Sequence, residues 1–285
     1  MMNSSGNERL FRIFFILSLR VLGTRRQESL MVRILPIPII DILKRHLSRW
    51  IYPEIFLLSR LVNKHGIFMD VGANIGNFTL ALAQIAGLVV SFEPIPRTFL
   101  KLYENCRRNK IKNVKLIQCA VGDRNTTDAI FMSRESPHMK SSFSSYGIGE
   151  SNSIMVKVVN LDDFLPSMGL ESVDLMKIDV EGAEFEVLKG ARQLIIRNKP
   201  EILCELHPSQ LKDRGYSLRM MKDFMHRLGY NIFSLERNLS RIELDDDHFS
   251  REHLLFTGET TPNIDPFSRI WLSILSISSK IFNLQ

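Results

Sequence analysis

At 285 residues the chain is long enough to bury a full hydrophobic core. Apolar residues make up 45% of it and charged residues 24%, a balance that excludes an intrinsically disordered protein. The net charge is +6, yet the densest basic groups, Arg25-Arg26 and Arg107-Arg108-Asn109-Lys110, are short and lack interleaved aromatics, so a solvated surface explains them better than a nucleic-acid groove.

Residues 1–65 read as a helical arm broken at Pro36 and Pro38, without the alternation that marks a sheet. Within it, the apolar run 10–22 is interrupted by Arg12 and Arg20 and falls short of the ~20 residues a bilayer span requires. Gly23-Thr24-Arg25-Arg26 is a poor signal-peptide cleavage site. From Ile67 the pattern changes to short apolar runs separated by amphipathic ones, as in a parallel sheet with crossover helices.

Strands are predicted at 67–71, 88–92, 114–119, 173–179, 201–205, 231–235 and 253–257. Helices are predicted at 77–86, 97–110 and 181–197, the last with Phe185, Leu188, Leu194 and Ile195 on one apolar stripe. Between 127 and 160 a hairpin is expected around Ser141-Ser142-Phe143-Ser144-Ser145-Tyr146-Gly147, a polar loop that suits a lid and a plain surface turn equally. The stretch 261–285 mixes bulky apolar residues such as Trp271 with Arg269 and Lys280, and reads as an amphipathic helix. Both ends are compatible with peripheral membrane contact, although packing against the domain or against a partner subunit in an oligomer is the simpler account. The expected organisation is therefore an arm at 1–65, one α/β domain at 66–260 and a C-terminal helix at 261–285. Cys106, Cys119 and Cys204 form no CxxC pair, which points to a reducing, cytoplasmic compartment, with membrane association left to the terminal helices.

In an open parallel sheet, ligands bind outside the carboxyl ends of the strands, where strand order reverses. The first strand ends in Asp70-Val71-Gly72-Ala73-Asn74-Ile75-Gly76-Asn77 and runs straight into a helix. A dinucleotide site would require glycine at the positions of Gly72, Asn74 and Asn77, because the pyrophosphate must approach the backbone closely. Only the first is glycine, so the loop suits a ligand without phosphate. Asp70 is placed to meet a positively charged amine or a water held by one. Glu93 ends the second strand, 21 residues after Gly72, where a carboxylate can accept both hydroxyls of a ribose.

Further signatures accompany this loop: Ser91-Phe92-Glu93-Pro94, Ala120-Val121-Gly122-Asp123, Leu161-Asp162-Asp163-Phe164, Met176-Lys177-Ile178-Asp179-Val180-Glu181-Gly182-Ala183-Glu184-Phe185 and Leu203-Cys204-Glu205-Leu206-His207. From 68 to about 208, roughly half of its length, the chain resembles the FkbM family of class I S-adenosylmethionine (SAM)-dependent methyltransferases. The resemblance implies a seven-stranded, mostly parallel Rossmann-like sheet with helices on both faces and the last strand antiparallel. It also implies O-methylation of a hydroxyl on a sugar, glycolipid or secondary metabolite, with S-adenosyl-L-methionine as donor. Carried over by motif, Asp70, Gly72, Asn74, Gly76 and Glu93 would hold the donor, and Asp123 would lie at the adenine edge.

An aliphatic hydroxyl holds its proton tightly, so a base, or a metal that acidifies the hydroxyl, is needed. Asp179 and Glu181 after the fourth strand and Glu205 and His207 after the fifth are expected to face one cleft, where crowded carboxylates beside an imidazole can produce a base. The same groups could bind a divalent cation such as Mg²⁺ near Asp179. Glu181 serves equally well as a dipole partner at a helix start, and Glu184 and Glu186 are expected in solvent. An NAD-dependent oxidoreductase shares the strand, turn and distal acid but is disfavoured by Asn74 and Asn77. A non-catalytic membrane- or partner-binding module is disfavoured by the intact Asp70, Gly72, Glu93 and Asp179. The expected acceptor is a small-molecule or glycan hydroxyl; a nucleic-acid base is excluded because no Asn/Asp-Pro-Pro-aromatic motif is present.

Overall fold

The computed structural model describes residues 53–133, 141–142, 151–235, 239–242, 253–262 and 264. Most of the expected N-terminal arm, the loop at 143–147 and nearly all of the stretch 261–285 lie outside the described residues. No helix among the described residues is long and apolar enough to cross a membrane.

The chain opens with alternating helices and strands: α1 (Pro53–Leu61), β1 (Ile67–Val71), α2 (Asn77–Leu82), β2 (Leu88–Phe92), α3 (Pro96–Arg108) and β3 (Val114–Ile117). It then builds a separate four-stranded sheet from β4 (Ala120–Val121), β5 (Thr126–Ser133), β6 (Ser141–Ser142) and β7 (Ser151–Val159). From there α4 (Leu161–Ser167), β8 (Leu175–Ile178), α5 (Glu184–Gly190), α6 (Arg192–Asn198) and β9 (Glu201–Glu205) follow. The described chain closes with α7 (Pro208–Asp213), α8 (Leu218–Arg227), β10 (Asn231–Ser234), β11 (Ser240–Arg241) and β12 (His253–Thr257).

Among the described residues the main sheet has eight strands in the order β11-β10-β12-β9-β8-β1-β2-β3. β1 pairs in parallel with both β2 and β8, and β12 runs antiparallel between β9 and β10. The chain thus steps outward from β1 to β3, then returns to the other side of β1. Because parallel crossovers are right-handed, the helices of the two halves fall on opposite faces, and strand order reverses between β1 and β8.

Strands covered on both faces must be apolar nearly throughout; accordingly four of five residues are buried in β1 and in β2, and all four in β8. Alternate residues Met69, Val71, Val90, Phe92, Met176 and Ile178 share one core with Val187, Leu188, Leu194 and Ile195 of α5 and α6 and with Met221 and Met225 of α8. Leu102 and Cys106 of α3 pack with Ala73. Helix starts follow local chemistry: Pro96 opens α3 with a preset φ, and Ser217 caps α8 by accepting the Met220 N–H at 3.2 Å.

Three expectations are corrected. The main sheet gains an eighth strand, the two-residue β11 paired antiparallel with β10, while the antiparallel last strand stands as expected. The predicted strand 114–119 ends at Ile117, because Ala120–Val121 leaves to pair with β7 in the second sheet, where β5 and β7 form the expected antiparallel pair. The predicted helix 181–197 is two helices preceded by a turn: Glu181 and Gly182 have φ of 51° and 109°, which no right-handed helix tolerates, and the chain breaks again at Ala191. All three cysteines are buried and free.

Candidate functional site

The apolar strands at the centre of the sheet are interrupted by a polar row. Ser91 of β2, Asp70 of β1 and Lys177 of β8 are register partners across three adjacent strands. Asp70 is 0% exposed and accepts from the Thr79 hydroxyl at 2.6 Å, while Thr79 also lies 2.8 Å from the Ser91 hydroxyl. Lys177 Nζ sits 3.6 Å from Asp70 Oδ1 and 3.2 Å from Asp179 Oδ2, and donates to the Gly72 carbonyl at 2.9 Å. Burial pulls the Lys177 pKa down, but the charges of Asp179 and Asp70 more than offset it and leave the pKa raised, so the ammonium stays charged inside the sheet. Asp70 thus lies beneath the glycine loop, with Lys177 and Thr79 as its neighbours.

Above this row a cleft opens at the carboxyl ends of β1, β2, β3 and β8, at the point where strand order reverses. Gly72 and Asn74 form its floor. Gly72 has φ +79°, and a Cβ there would stand 1.8 Å from the Asp179 carbonyl oxygen, so only glycine lets the β1 and β8 loops touch. Asn74 and Glu181, in the two facing loops, hold φ of 50° and 51° without being glycine; such conformations persist where the surroundings over-determine them, which is common at ligand sites. Phe92, Ala120, Val121 and Ile130 supply an apolar wall.

Glu93 closes one end of the cleft. Its Oε2 accepts the Asn74 N–H at 2.9 Å and its Oε1 the Ile95 N–H at 3.0 Å, which fixes the carboxylate with lone pairs to spare. Burial raises its pKa to about 7 against the lowering effect of these two hydrogen bonds. Two expected contacts lie off the lining. Gly76 sits at the start of α2 against Leu102. Asp123 is turned to Lys189 Nζ at 2.6 Å, and Lys189 in turn donates to Tyr216; an ion pair rather than the cleft occupies this carboxylate.

The opposite end is acidic. Asp179 and Glu181 line the cleft, and Glu205 and His207 join them from β9 and its end. His207 is 3% exposed; its Nδ1 lies 2.7 Å from Glu184 Oε1, and its Nε2 lies 3.3 Å from Glu181 Oε2 and 3.8 Å from Glu205 Oε1. Burial lowers the imidazole pKa, but the hydrogen bond to Glu184, its charge and those of Glu181 and Asp179 outweigh that and leave it raised. The four residues expected to share a cleft thus cluster together, but of the four only Asp179 and Glu181 are in its lining.

Glu184 was expected in solvent and is instead 0% exposed, held by His207 and by the Gly182 N–H at 2.8 Å. The late start of α5 turns it inward. Glu186 is likewise withdrawn from solvent, paired with Arg214. Two further residues escape sequence reasoning: Lys177, visible only as a charge of opposite sign in a strand adjacent to Asp70, and His253 of β12, whose imidazole lies 3.4 Å from Glu205 Oε2 and 3.6 Å from Glu54 Oε1.

A family model for the methyltransferase FkbM domain matches residues 70–232. The chain is 32% identical over 141 residues to Methyltransferase 1 of Beauveria bassiana, a match covering 43% of this chain and 57% of that protein. It is 30% identical over 196 residues to the 31-O-demethyl-FK506 methyltransferase FkbM of Streptomyces tacrolimicus, covering 56% of this chain and 75% of the relative. To the 2-O-methyltransferase NoeI of Sinorhizobium fredii it is 26% identical over 184 residues, covering 59% and 74%. The chain therefore spans little more than half the length of the Beauveria relative.

Proposed function

The chain belongs to the FkbM methyltransferase family, and from that premise we propose that it transfers a methyl group from S-adenosyl-L-methionine to a hydroxyl of a sugar, glycolipid or secondary metabolite. The observation that carries this reading is a single cleft with Glu93 at one end and Asp179 and Glu181 at the other. The residues suit the donor. Glu93 has acceptor capacity for a ribose diol, and the apolar wall suits a flat base. Gly72 keeps side-chain bulk out of the floor. The bound donor supplies a methyl group on a positively charged sulfur.

The chain's own task is to orient the acceptor and take its proton. Glu181, with a third of its side chain exposed (33%) and in the lining, is the group in reach of an incoming hydroxyl. Asp179 is held by Lys177, and His207 is anchored through Glu184, so both side chains are fixed in place around the base. Glu205 closes the cluster from the β9 side. A cation beside Asp179 is a second means of easing the proton from the hydroxyl. The names of two relatives, an O-demethyl-FK506 methyltransferase and a 2-O-methyltransferase, support oxygen as the methylated atom.

The test is incubation with the donor and a panel of glycans, glycolipids and hydroxylated small molecules, read by mass spectrometry. Methylation of an acceptor oxygen is expected. Calorimetry should show donor binding, and Glu93→Ala should weaken it by about 2 kcal/mol through the loss of charge-assisted hydrogen bonds. Absence of donor binding by the intact chain overturns the reading.

A further inference from the structure

We infer that Asp179, Glu205 and His207 form a binding site for a divalent first-row cation, Mn²⁺ in preference to Mg²⁺, with Glu184 as the positioning residue behind the imidazole. Each of the three residues offers one donor atom, and these atoms lie within 4.8 Å of one another. Metal bonds of ~2.1 Å place two donors on one ion at most about 4.2 Å apart, so side-chain shifts on the order of 0.5 Å complete the set.

Carboxylates alone would not make a site. The independent observation is the far nitrogen of His207: the side chain is 97% withdrawn from solvent, being 3% exposed, and Nε2 makes no hydrogen bond. Glu181 Oε2 is near enough for an ion pair at 3.3 Å, but off the line a hydrogen bond requires. Buried polar atoms are ordinarily matched, and one left unmatched calls for a ligand.

The near nitrogen explains the orientation. Glu184 Oε1 accepts the Gly182 N–H at 2.8 Å, so it faces His207 Nδ1 as an acceptor, at 2.7 Å. With Nδ1 donating to Glu184, Nε2 faces Glu205 and Glu181, and a cation bound there takes the place of the Nε2 proton. A carboxylate behind an imidazole that fixes its tautomer is the recurrent arrangement behind metal-bound histidine. Among the described residues Lys177 engages one oxygen of Asp179 and His253 lies against one oxygen of Glu205.

The donor set selects the ion. Mg²⁺ and Ca²⁺ favour all-oxygen shells, whereas one imidazole with two carboxylates suits first-row metals. Asp179 lines the cleft, so the open coordination positions face the acceptor's side. The catalytic use of the cation rests on the methyl-transfer reading; its binding does not.

The full chain, freed of metal with a chelator, is titrated with Mn²⁺ in the absence of donor and acceptor, following the loss of the aqueous Mn²⁺ electron paramagnetic resonance signal. Saturation at one Mn²⁺ per chain is expected, with poor competition by Mg²⁺. Asp179→Asn and Glu205→Gln should each weaken binding at least tenfold, and Glu184→Gln by about 10–100-fold. Nitrogen modulation from a coordinated imidazole should appear in pulsed spectra of the unaltered chain, which makes the test independent of how the variants fold. No saturable binding, no nitrogen coupling, or unchanged affinity in the Asp179→Asn and Glu205→Gln variants overturns the site. Failure of the methyl-transfer reading shows separately, as loss of donor binding in calorimetry.

Discussion

Lys177 of β8 and Asp70 of β1 are register partners in the middle of the sheet, with charged atoms 3.6 Å apart. Lys177 also holds the Gly72 carbonyl and Asp179, so one ammonium ties the floor of the cleft to its acidic end. Removing one member of a buried ion pair strands the other, at about 3–5 kcal/mol. Lys177→Met is therefore expected to lower unfolding free energy in urea by about that amount. The double variant Asp70→Asn/Lys177→Met should recover a large part of the loss, because neither charge is then stranded. Additive losses would show that the two residues do not act as a pair.

Glu93 gives a pH dependence with a definite sign. Burial raises its pKa in the folded chain from the ordinary 4.5 to about 7, so between these values the folded state binds more protons than the unfolded one. Stability contributed by this group is then fully present below about pH 4.5 and lost as pH rises through about 7, a span worth roughly 3 kcal/mol. The expected outcome is a flatter profile of unfolding free energy between pH 5 and 7 (~2 units) in Glu93→Gln than in the unaltered chain. Parallel profiles would count against the raised pKa.

Glu181 should separate chemistry from binding. A positioned base contributes about 10²–10⁴-fold to proton transfer. Glu181→Gln is thus expected to lower kcat by at least about 10²-fold while leaving donor affinity within about a factor of three. Stopped methyl transfer with unaltered calorimetric binding supports the role, and an unchanged kcat removes Glu181 from it.

What could be read from the chain before its fold was known depended on the range of the interaction. The glycine loop, Glu93 and the Asp179-to-His207 cluster were legible because each is set by a strand end, and a strand end is a local pattern. The pairing of Asp70 with Lys177 was not legible because the two lie 107 residues apart, in strands whose register no periodicity records. Glu184 was misplaced for a different reason. Helical spacing from Glu181 onward assigns it to solvent, but the positive φ of Glu181 and Gly182 delays the helix and rotates Glu184 onto His207. The second sheet was half legible, since the Ser/Gly-rich stretch between β5 and β7 marks a hairpin, whereas the departure of Ala120–Val121 from the main sheet leaves no mark on composition.

Gly72 offers the sharpest steric test of the cleft. It combines φ +79° with a contact in which an added Cβ would stand 1.8 Å from the Asp179 carbonyl oxygen, and backbone cannot yield as a flexible side chain does. Gly169 has a similar φ of +68° but nothing within 4 Å of an added Cβ. Alanine at Gly169 therefore meets only the left-handed backbone penalty, about 1–2 kcal/mol. Alanine at Gly72 meets the same penalty and must also part the β1 loop from β8, displacing the carbonyl that Lys177 holds and the floor on which a ligand rests. Gly72→Ala is expected to lose at least about 2 kcal/mol more stability than Gly169→Ala and to lose donor binding, while Gly169→Ala keeps it. Equal losses in urea titrations, with binding retained in both, would show that the contact between Gly72 and Asp179 does not shape the site.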